Sequence, residues 1–167
     1  CLNKNSKMYQ IKNPFVIPGI QKIKIDSQLN PNYTFDHFIE GDCNRLARSA
    51  GMAIAKKPGK TAFNPLMIFG DVGLGKTHLA HAIGNEVQKL SSDKIVLYVS
   101  SERFTNQFID ALRNNAISDF LKFYQLVDLL IVDDIQFLEN KQKTQDIFFS
   151  IFNHLHQGGK QLILTSD

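Results

Sequence analysis

The chain has little cysteine and no long hydrophobic run, and these two absences narrow its class. Only two cysteines, Cys1 and Cys43, occur among its 167 residues. An isolated pair supports neither a disulfide framework nor a cysteine metal site, so we expect reduced thiols and a cytoplasmic location. The apolar runs are far shorter than the roughly 20 residues that span a bilayer, and no signal-peptide pattern is visible. Because the first residue is Cys rather than Met, we expect the sequence to be a fragment.

A broad basic surface is also lacking, although the formal net charge is +3. Residues 1–30 hold five lysines against Asp26 alone, so the rest of the chain is slightly negative. Such a body lacks the basic footprint that dominates nucleic-acid affinity, and any DNA contact would use few residues or an assembly. The lysines stand among prolines without a regular period. This predicts a linker or extended basic arm over residues 1–29 and a globular domain over residues 30–167.

The globular part alternates short apolar runs with helical patterns. The predicted strands are residues 66–69, 95–99, 129–132 and 161–165, and the predicted helices are about 43–55, 76–90, 101–112, 116–125 and 144–156. Strands alternating with helices predict right-handed βαβ crossovers and an α/β sandwich of three layers around a parallel sheet.

Residues 70–77 read Gly-Asp-Val-Gly-Leu-Gly-Lys-Thr and match the phosphate-loop pattern G-x-x-x-x-G-K-S/T between a predicted strand and a predicted helix. Glycines let backbone N–H groups wrap phosphate oxygens, and the positive end of the helix faces the same anion. The loop therefore predicts ATP or ADP with magnesium, provided that the Asp71 carboxylate points to solvent; a glycine-rich structural turn is the alternative. The predicted nucleotide-binding residues here are Gly70, Gly73, Leu74, Gly75, Lys76, Thr77 and His78.

An acidic pair, Asp133 and Asp134, follows the most apolar predicted strand. In open α/β sheets the carboxyl ends of the strands bind ligands, so both acids should lie beside the phosphates. We expect Asp133 to position magnesium together with Thr77, and Asp134 to orient or deprotonate the attacking water. Taken alone, the pair would more simply cap a turn. The strand at 95–99 lies between loop and acids in sequence, which predicts a P-loop NTPase of sheet order 5-1-4-3-2 with the fifth strand missing.

Several sequence blocks together resemble the DnaA family of AAA+ initiators, and the likeness runs from about residue 30 to 167. The blocks are residues 30–36 (Asn-Pro-Asn-Tyr-Thr-Phe-Asp), 41–45 (Gly-Asp-Cys-Asn-Arg), 73–79 (Gly-Leu-Gly-Lys-Thr-His-Leu), 101–104 (Ser-Glu-Arg-Phe), 133–137 (Asp-Asp-Ile-Gln-Phe) and 164–167 (Leu-Thr-Ser-Asp). The resemblance implies an AAA+ nucleotide-binding domain.

The resemblance also assigns roles that the residue patterns alone do not. It places Phe38, Ile39 and Asn44 beside the adenine. It makes Asp167, or its neighbours Thr165 and Ser166, the polar sensor of the terminal phosphate. The helices between residues 101 and 125 resemble the insertion that steers assembly into a helical filament. Ile109 and Lys143 fall where the family contacts single-stranded DNA, although helix packing and a solvated charge would explain them as well.

The function implied by the resemblance is an ATP-dependent replication initiator. ATP binding would drive self-assembly on the chromosomal origin and duplex opening, and slow hydrolysis would reset it. Further implied partners are the replicative helicase or its loader, and acidic phospholipids, for which this sequence carries no readable pattern. The family's finger arginine, second sensor, helical lid and duplex-binding domain would lie beyond residue 167, so the fragment alone should hydrolyse ATP poorly.

Other functions share some of these sequence features. A helicase loader or an initiator-regulating paralogue shares the loop and the acidic pair, a motor ATPase would turn over fast, and a purely structural domain would bind no nucleotide. His78 and His81 have a spacing that could bind metal, but no third ligand is apparent and structural roles are favoured.

Overall fold

The computed structural model describes residues 25–167, which form one parallel sheet with helices on both faces. The elements are α1 (Arg45–Lys56), β1 (Leu66–Phe69), α2 (Lys76–Leu90), β2 (Val96–Ser100), α3 (Ser101–Arg113), α4 (Ile117–Gln125), β3 (Leu129–Asp133), a short 3-10 helix (Ile135–Leu138), α5 (Gln142–Gln157) and β4 (Gln161–Ser166). None of the helices in this part of the chain is long and apolar enough to cross a membrane.

The sheet has the order β1-β4-β3-β2, and all of its pairings are parallel. This confirms the predicted fold class, because the order equals 5-1-4-3-2 without a fifth strand. β1 lies at the edge of the described sheet, where Met67 and Phe69 are exposed. β3 is buried along its whole length, as expected for a strand with helices on both faces.

Alternate side chains of the strands enter two separate hydrophobic cores. Ile131 and Ile163, which are paired in the sheet, pack with α1 and α2. Their neighbours Leu130 and Leu162 pack with α3, α4 and α5. The predicted three layers therefore follow directly from the pleat of buried strands.

Hydrogen bonds between side chains and backbone mark the starts of α1 and α3. α1 begins at Arg45 because the Asn44 side chain binds the backbone of the preceding loop, through Gly41 N and Ile39 O. At α3, Ser100 Oγ accepts from Arg103 N, so a serine side chain caps the start of the helix. The 3-10 helix after β3 is an element that the sequence did not predict.

The segment before α1 is fastened to the sheet and to α2. Ser27 O accepts from Tyr98 N, and Asn30 N donates to His81 Nδ1. Asn85 Nδ2 donates to the carbonyls of Asn30 and Tyr33. Contacts with the domain therefore begin before residue 30. Residues 1–24, which hold the five lysines of the predicted basic arm, lie outside the described residues, and the predicted domain boundary stays a prediction.

Candidate nucleotide-binding site

The loop between β1 and α2 has the backbone that a phosphate loop needs. Gly73 and Gly75 have φ of 87° and 82°, the left-handed region that favours glycine. A Cβ on Gly75 would also stand 3.3 Å from the Phe38 ring, so the position leaves little room for a side chain. Because α2 begins directly after Gly75, its free N–H groups and positive dipole end face the loop.

Lys76 is only 9% exposed, yet its amine is fully engaged. Lys76 Nζ donates to Gly70 O at 2.5 Å, to Asp71 O at 3.0 Å and to Asp167 Oδ1 at 2.6 Å. The amine thus crosses the loop and meets the end of β4. The Asp71 residue is exposed to solvent, as the phosphate-loop interpretation requires.

Asp133 is 3% exposed and accepts hydrogen bonds from three hydroxyl groups. Its Oδ2 accepts from Thr77 Oγ1 at 2.9 Å and from the Tyr98 hydroxyl at 2.7 Å. Its Oδ1 accepts a short hydrogen bond from Thr165 Oγ1. The structure therefore brings the predicted magnesium pair, Thr77 and Asp133, into direct contact from α2 and the end of β3.

Asp134 stands beside them with a less compensated charge. Its backbone is left-handed, with φ of 58°, and its N–H donates to Thr165 Oγ1 at 2.9 Å. Gln136 Nε2 lies 3.5 Å from Asp134 Oδ1 and 3.1 Å from Asp167 Oδ2, so Gln136 bridges the two acids. Partial burial raises the pKa of the Asp134 carboxyl, the Asp133 charge raises it further, and the contact with Gln136 only partly opposes this.

An open cleft of about 430 Å³, a volume within the range of small-molecule sites, lies between Lys76, Thr77, Asp134 and Asp167, with the buried Asp133 behind Thr77. The cleft is lined by Tyr33, Val72, Gly73, Gly75, Lys76, Thr77, His78, Asp134, Phe137 and Asp167. An ammonium group, a helix N-terminus and a hydroxyl–carboxylate pair together fit a polyphosphate and its cation.

Magnesium suits this donor set better than a transition metal would. Magnesium binds through one or two protein oxygens and keeps waters and substrate phosphates as its other ligands. No group of three or more His, Cys, Asp or Glu side chains within residues 25–167 could hold a metal ion. His78 and His81 instead make hydrogen bonds to the segment before α1.

Both histidines of α2 fasten the segment that walls the cleft. His78 Nε2 donates to Thr34 O at 2.8 Å, and its ring stacks on Tyr33 at 4.8 Å between centroids. His81 is 4% exposed, and its Nδ1 accepts the N–H of Asn30 at 3.0 Å. Burial lowers the pKa of the His81 imidazole, although the Asp133 charge opposes that shift.

The residues assigned to adenine are placed differently from one another. Phe38 is buried, and its ring lies 5.5 Å from that of His78, next to the phosphate loop. Ile39 is 87% exposed. Asn44 uses both ends of its amide on the loop backbone. None of the three is among the cleft-lining residues, so their adenine role stays a prediction.

The two residues assigned to single-stranded DNA lie on the helical layer formed by α3, α4 and α5. Ile109 is exposed on α3, and Lys143 is exposed in the first turn of α5. Neither lines the cleft.

Sequence reasoning missed two polar residues of the site and named a third only as an alternative. Tyr98 and Gln136 were not singled out, and Thr165 was named beside Asp167 as a sensor. A tyrosine inside an apolar strand was the available signal for Tyr98, because a buried phenol hydroxyl needs a partner.

Comparison with known sequences identifies close relatives. The family model described as the bacterial DnaA ATPase domain matches residues 29–167. A chromosomal replication initiator protein DnaA from Flavobacterium psychrophilum is 65% identical over 158 residues, which cover 95% of this chain and 33% of that protein. A DnaA from Bacteroides thetaiotaomicron is 56% identical over 150 residues, which cover 90% of this chain and 32% of that protein. The chain thus spans about a third of the length of these relatives.

Solved structures agree with the sequence relatives. Domain III of DnaA from Thermotoga maritima has a TM-score of 0.80 and 44% identity, covering 83% of this chain and 57% of that one. A replication initiator DnaA bound to AMPPCP and single-stranded DNA gives the same score and identity, covering 84% of this chain and 43% of that one. The DnaC helicase loader, 19% identical with a TM-score of 0.67 and covering 81% of this chain and 76% of that one, shares the fold alone.

Proposed function

The chain belongs to the bacterial DnaA ATPase-domain family, and we propose that it is the ATP-binding switch of a chromosomal replication initiator. The main support is one contact, Thr77 Oγ1 to Asp133 Oδ2 at 2.9 Å, at the mouth of a phosphate loop. This contact joins the hydroxyl and the carboxylate that would bind magnesium, beside the position where a bound triphosphate would end.

The phosphates would be held by the backbone N–H groups of residues 70–77 and by the N-terminus of α2. Lys76 would exchange Asp167 Oδ1 for phosphate oxygens, since Lys76 and Asp167 both line the cleft. Thr77 and Asp133 would hold the cation, which neutralises the phosphate charge when bound.

Asp134 is the proposed base that orients or deprotonates the attacking water. A raised pKa makes its carboxylate a better proton acceptor, and it lines the cleft directly. Asp167 is the proposed sensor, because it contacts both Lys76 and Gln136. No arginine of the described part lines the cleft. Hydrolysis by this chain alone should therefore be slow, because a transition-state arginine contributes about 10³–10⁵-fold.

The assembly and DNA roles are proposed by analogy with the relatives. A DnaA 44% identical to this chain is described as bound to AMPPCP and single-stranded DNA. We propose the same ligand classes here, with Ile109 and Lys143 as DNA contacts and α3–α4 as the surface of self-assembly. The origin duplex, the replicative helicase or its loader and acidic phospholipids are proposed partners of the whole protein, which would act in the cytoplasm.

Titration calorimetry of ATP and magnesium on Lys76→Ala tests the nucleotide site. Lys160→Ala is the matched control, because Lys160 also binds an aspartate at 2.6 Å but does so at the amino ends of the strands, opposite the cleft. We expect Lys76→Ala to weaken ATP binding about 10–100-fold, the loss of one charged hydrogen bond or more, and Lys160→Ala to keep the parent affinity. Equal ATP affinity in parent and Lys76→Ala would remove the assignment.

The same proteins test the switch. Single-stranded DNA binding by the full-length parent should increase with ATP, and the increase should be lost in Lys76→Ala. Nucleotide-independent DNA binding would contradict the switch and leave only the nucleotide site. Rapid ATP turnover by the full-length protein without DNA would favour a motor.

A further inference from the structure

The hydroxyl of Tyr98 lies on the carboxylate that is proposed to hold magnesium. Tyr98 is in the middle of β2, the strand beside β3, and its hydroxyl donates to Asp133 Oδ2 at 2.7 Å. The same oxygen accepts from Thr77 Oγ1 at 2.9 Å. None of the roles proposed for the other residues of the site requires a phenol at this position.

Asp133 is fixed by hydroxyl groups from several elements. Thr165 Oγ1 of β4 donates to Oδ1, and Ser101 Oγ of α3 donates to the Asp133 backbone carbonyl at 3.0 Å. If the Thr77 hydroxyl instead bound a cation, Tyr98 would be the group that still holds Oδ2. The orientation of the carboxylate would then be set by two hydrogen bonds, from Tyr98 to Oδ2 and from Thr165 to Oδ1.

Tyr98 is itself held in place. Its backbone N–H donates to Ser27 O at 2.9 Å, and its ring centroid lies 4.0 Å from that of His81. His81 is in turn fixed by the N–H of Asn30. A hydroxyl on a ring anchored in this way has one fixed direction, which suits it to orient a neighbouring group.

We propose that Tyr98 is a positioning residue that sets the orientation of Asp133 for magnesium. This inference rests on the proposed nucleotide site. Groups that orient a metal ligand typically contribute about 10–100-fold to metal affinity, so the hydroxyl should affect the magnesium dependence of nucleotide binding. A phenol that only satisfied its own hydrogen bond would stabilise the fold without that effect.

The test is a magnesium titration of ADP affinity in the full-length protein, from excess EDTA upward, with Tyr98→Phe. Tyr124→Phe is the matched control, since its hydroxyl donates to Gln107 Oε1 at 2.6 Å and neither residue lines the cleft. We expect Tyr98→Phe to raise the magnesium midpoint about 10-fold and to keep the ADP affinity in EDTA. Tyr124→Phe should keep the parent midpoint.

Each outcome decides between the proposals. If the parent binds ADP without any magnesium dependence, the proposed site fails. If the parent depends on magnesium and Tyr98→Phe has the same midpoint, the positioning role is overturned. An equal loss of ADP affinity with and without magnesium would also overturn it. Tyr98→Met, which lacks the hydroxyl too, should shift the midpoint as Tyr98→Phe does, and serves if Tyr98→Phe is unstable.

Discussion

The two ends of strand β3 carry aspartates in opposite environments. Asp128 precedes the strand and accepts from Ile95 N at 2.9 Å and from Lys160 Nζ at 2.6 Å. Burial would raise the pKa of its carboxyl, but these two donors outweigh burial and hold the pKa below its ordinary value. Asp134 follows the strand beside another acid, and its pKa is raised by burial and by Asp133.

The surroundings of the two acids differ in the same way. At the amino end, Gln161 Oε1 accepts from Gly59 N, and Gln161 Nε2 donates to Phe63 O, so the polar groups satisfy one another. At the carboxyl end, Lys76, Asp134 and Asp167 line an open cleft. The charges at the amino ends of the strands are paired with one another, whereas at the carboxyl ends Asp134 faces an open cleft with its pKa raised.

Replacing Asp128 should give the largest effect on stability and none on the nucleotide site. Asp128→Ala removes the acceptor of the Ile95 N–H and of the half-buried Lys160, so we expect a loss of about 3 kcal/mol in the free energy of unfolding. Because the pKa of Asp128 is lowered in the folded state, the ionised carboxylate stabilises the fold at pH values above the ordinary pKa of 3.8. This stabilisation is lost as the pH falls through the folded-state pKa. The difference from the parent should therefore shrink in acid.

Urea unfolding at several pH values measures this effect, and ATP titration checks the site. The exposed Asp93, in the turn before β2, gives the control variant Asp93→Ala, which should change stability by less than about 0.5 kcal/mol. If Asp128→Ala weakened ATP binding as much as Lys76→Ala does, it would be wrong to assign stability to the amino ends of the strands and nucleotide binding to the carboxyl ends.

His81 gives an intermediate effect, because it is a buried base at the cleft end of the sheet. Because the pKa of His81 is lowered in the folded state, His81 is protonated more readily in the unfolded chain than in the folded one as the pH falls below about 6.5. Protonation therefore favours unfolding. The parent should lose at most about 1.4 kcal/mol for each pH unit below that point from this group. His81→Asn keeps an acceptor for the Asn30 N–H but does not titrate, so its stability should vary less between pH 7 and pH 5.5.

Thermal unfolding of both proteins across this pH range measures the difference. His154→Asn, at an exposed position of α5, is the control and should follow the parent. Parallel pH profiles for His81→Asn and the parent would show that His81 is not protonated differently on unfolding.

The sequence predicted the parts of the site that are local in the chain. The phosphate loop lies between adjacent elements, so its glycines and Lys76 could be recognised from spacing alone. Asp133 and Asp134 were recognised because they follow an apolar strand. The sheet order was predicted from the additional strand that lies between the phosphate loop and the acidic pair in sequence. The structure confirms this order for the four described strands.

The missed contacts join residues that are distant in sequence. Tyr98 and Asp133 are 35 residues apart, and Thr165 and Asp133 are 32 apart, so these bonds depend on the register between strands. Gln136 was missed because it lies on a 3-10 helix that begins only after the left-handed turn at Asp134. Periodicity carries no signal for either kind of contact.

Asp134 should give the smallest change in stability, and one of opposite sign. Asp134→Asn removes an ionised group that the folded state disfavours, so at neutral pH the variant should be about 0.5 kcal/mol more stable than the parent. This gain should vanish as pH falls through the pKa of Asp134, since the parent carboxyl is then neutral as well. ATP hydrolysis should fall about 100-fold or more, because the proposed base is lost.

The adjacent Asp133 gives the control for Asp134→Asn, and thermal unfolding without nucleotide measures the stability of both variants. Asp133→Asn replaces an acceptor of three hydroxyl hydrogen bonds and should therefore lower the melting temperature. Neighbouring substitutions of the same kind would then shift stability in opposite directions, because Asp133 is compensated and Asp134 is not. A destabilised Asp134→Asn would place Asp134 with Asp128 among the structural acids and leave the attacking water without its proposed base.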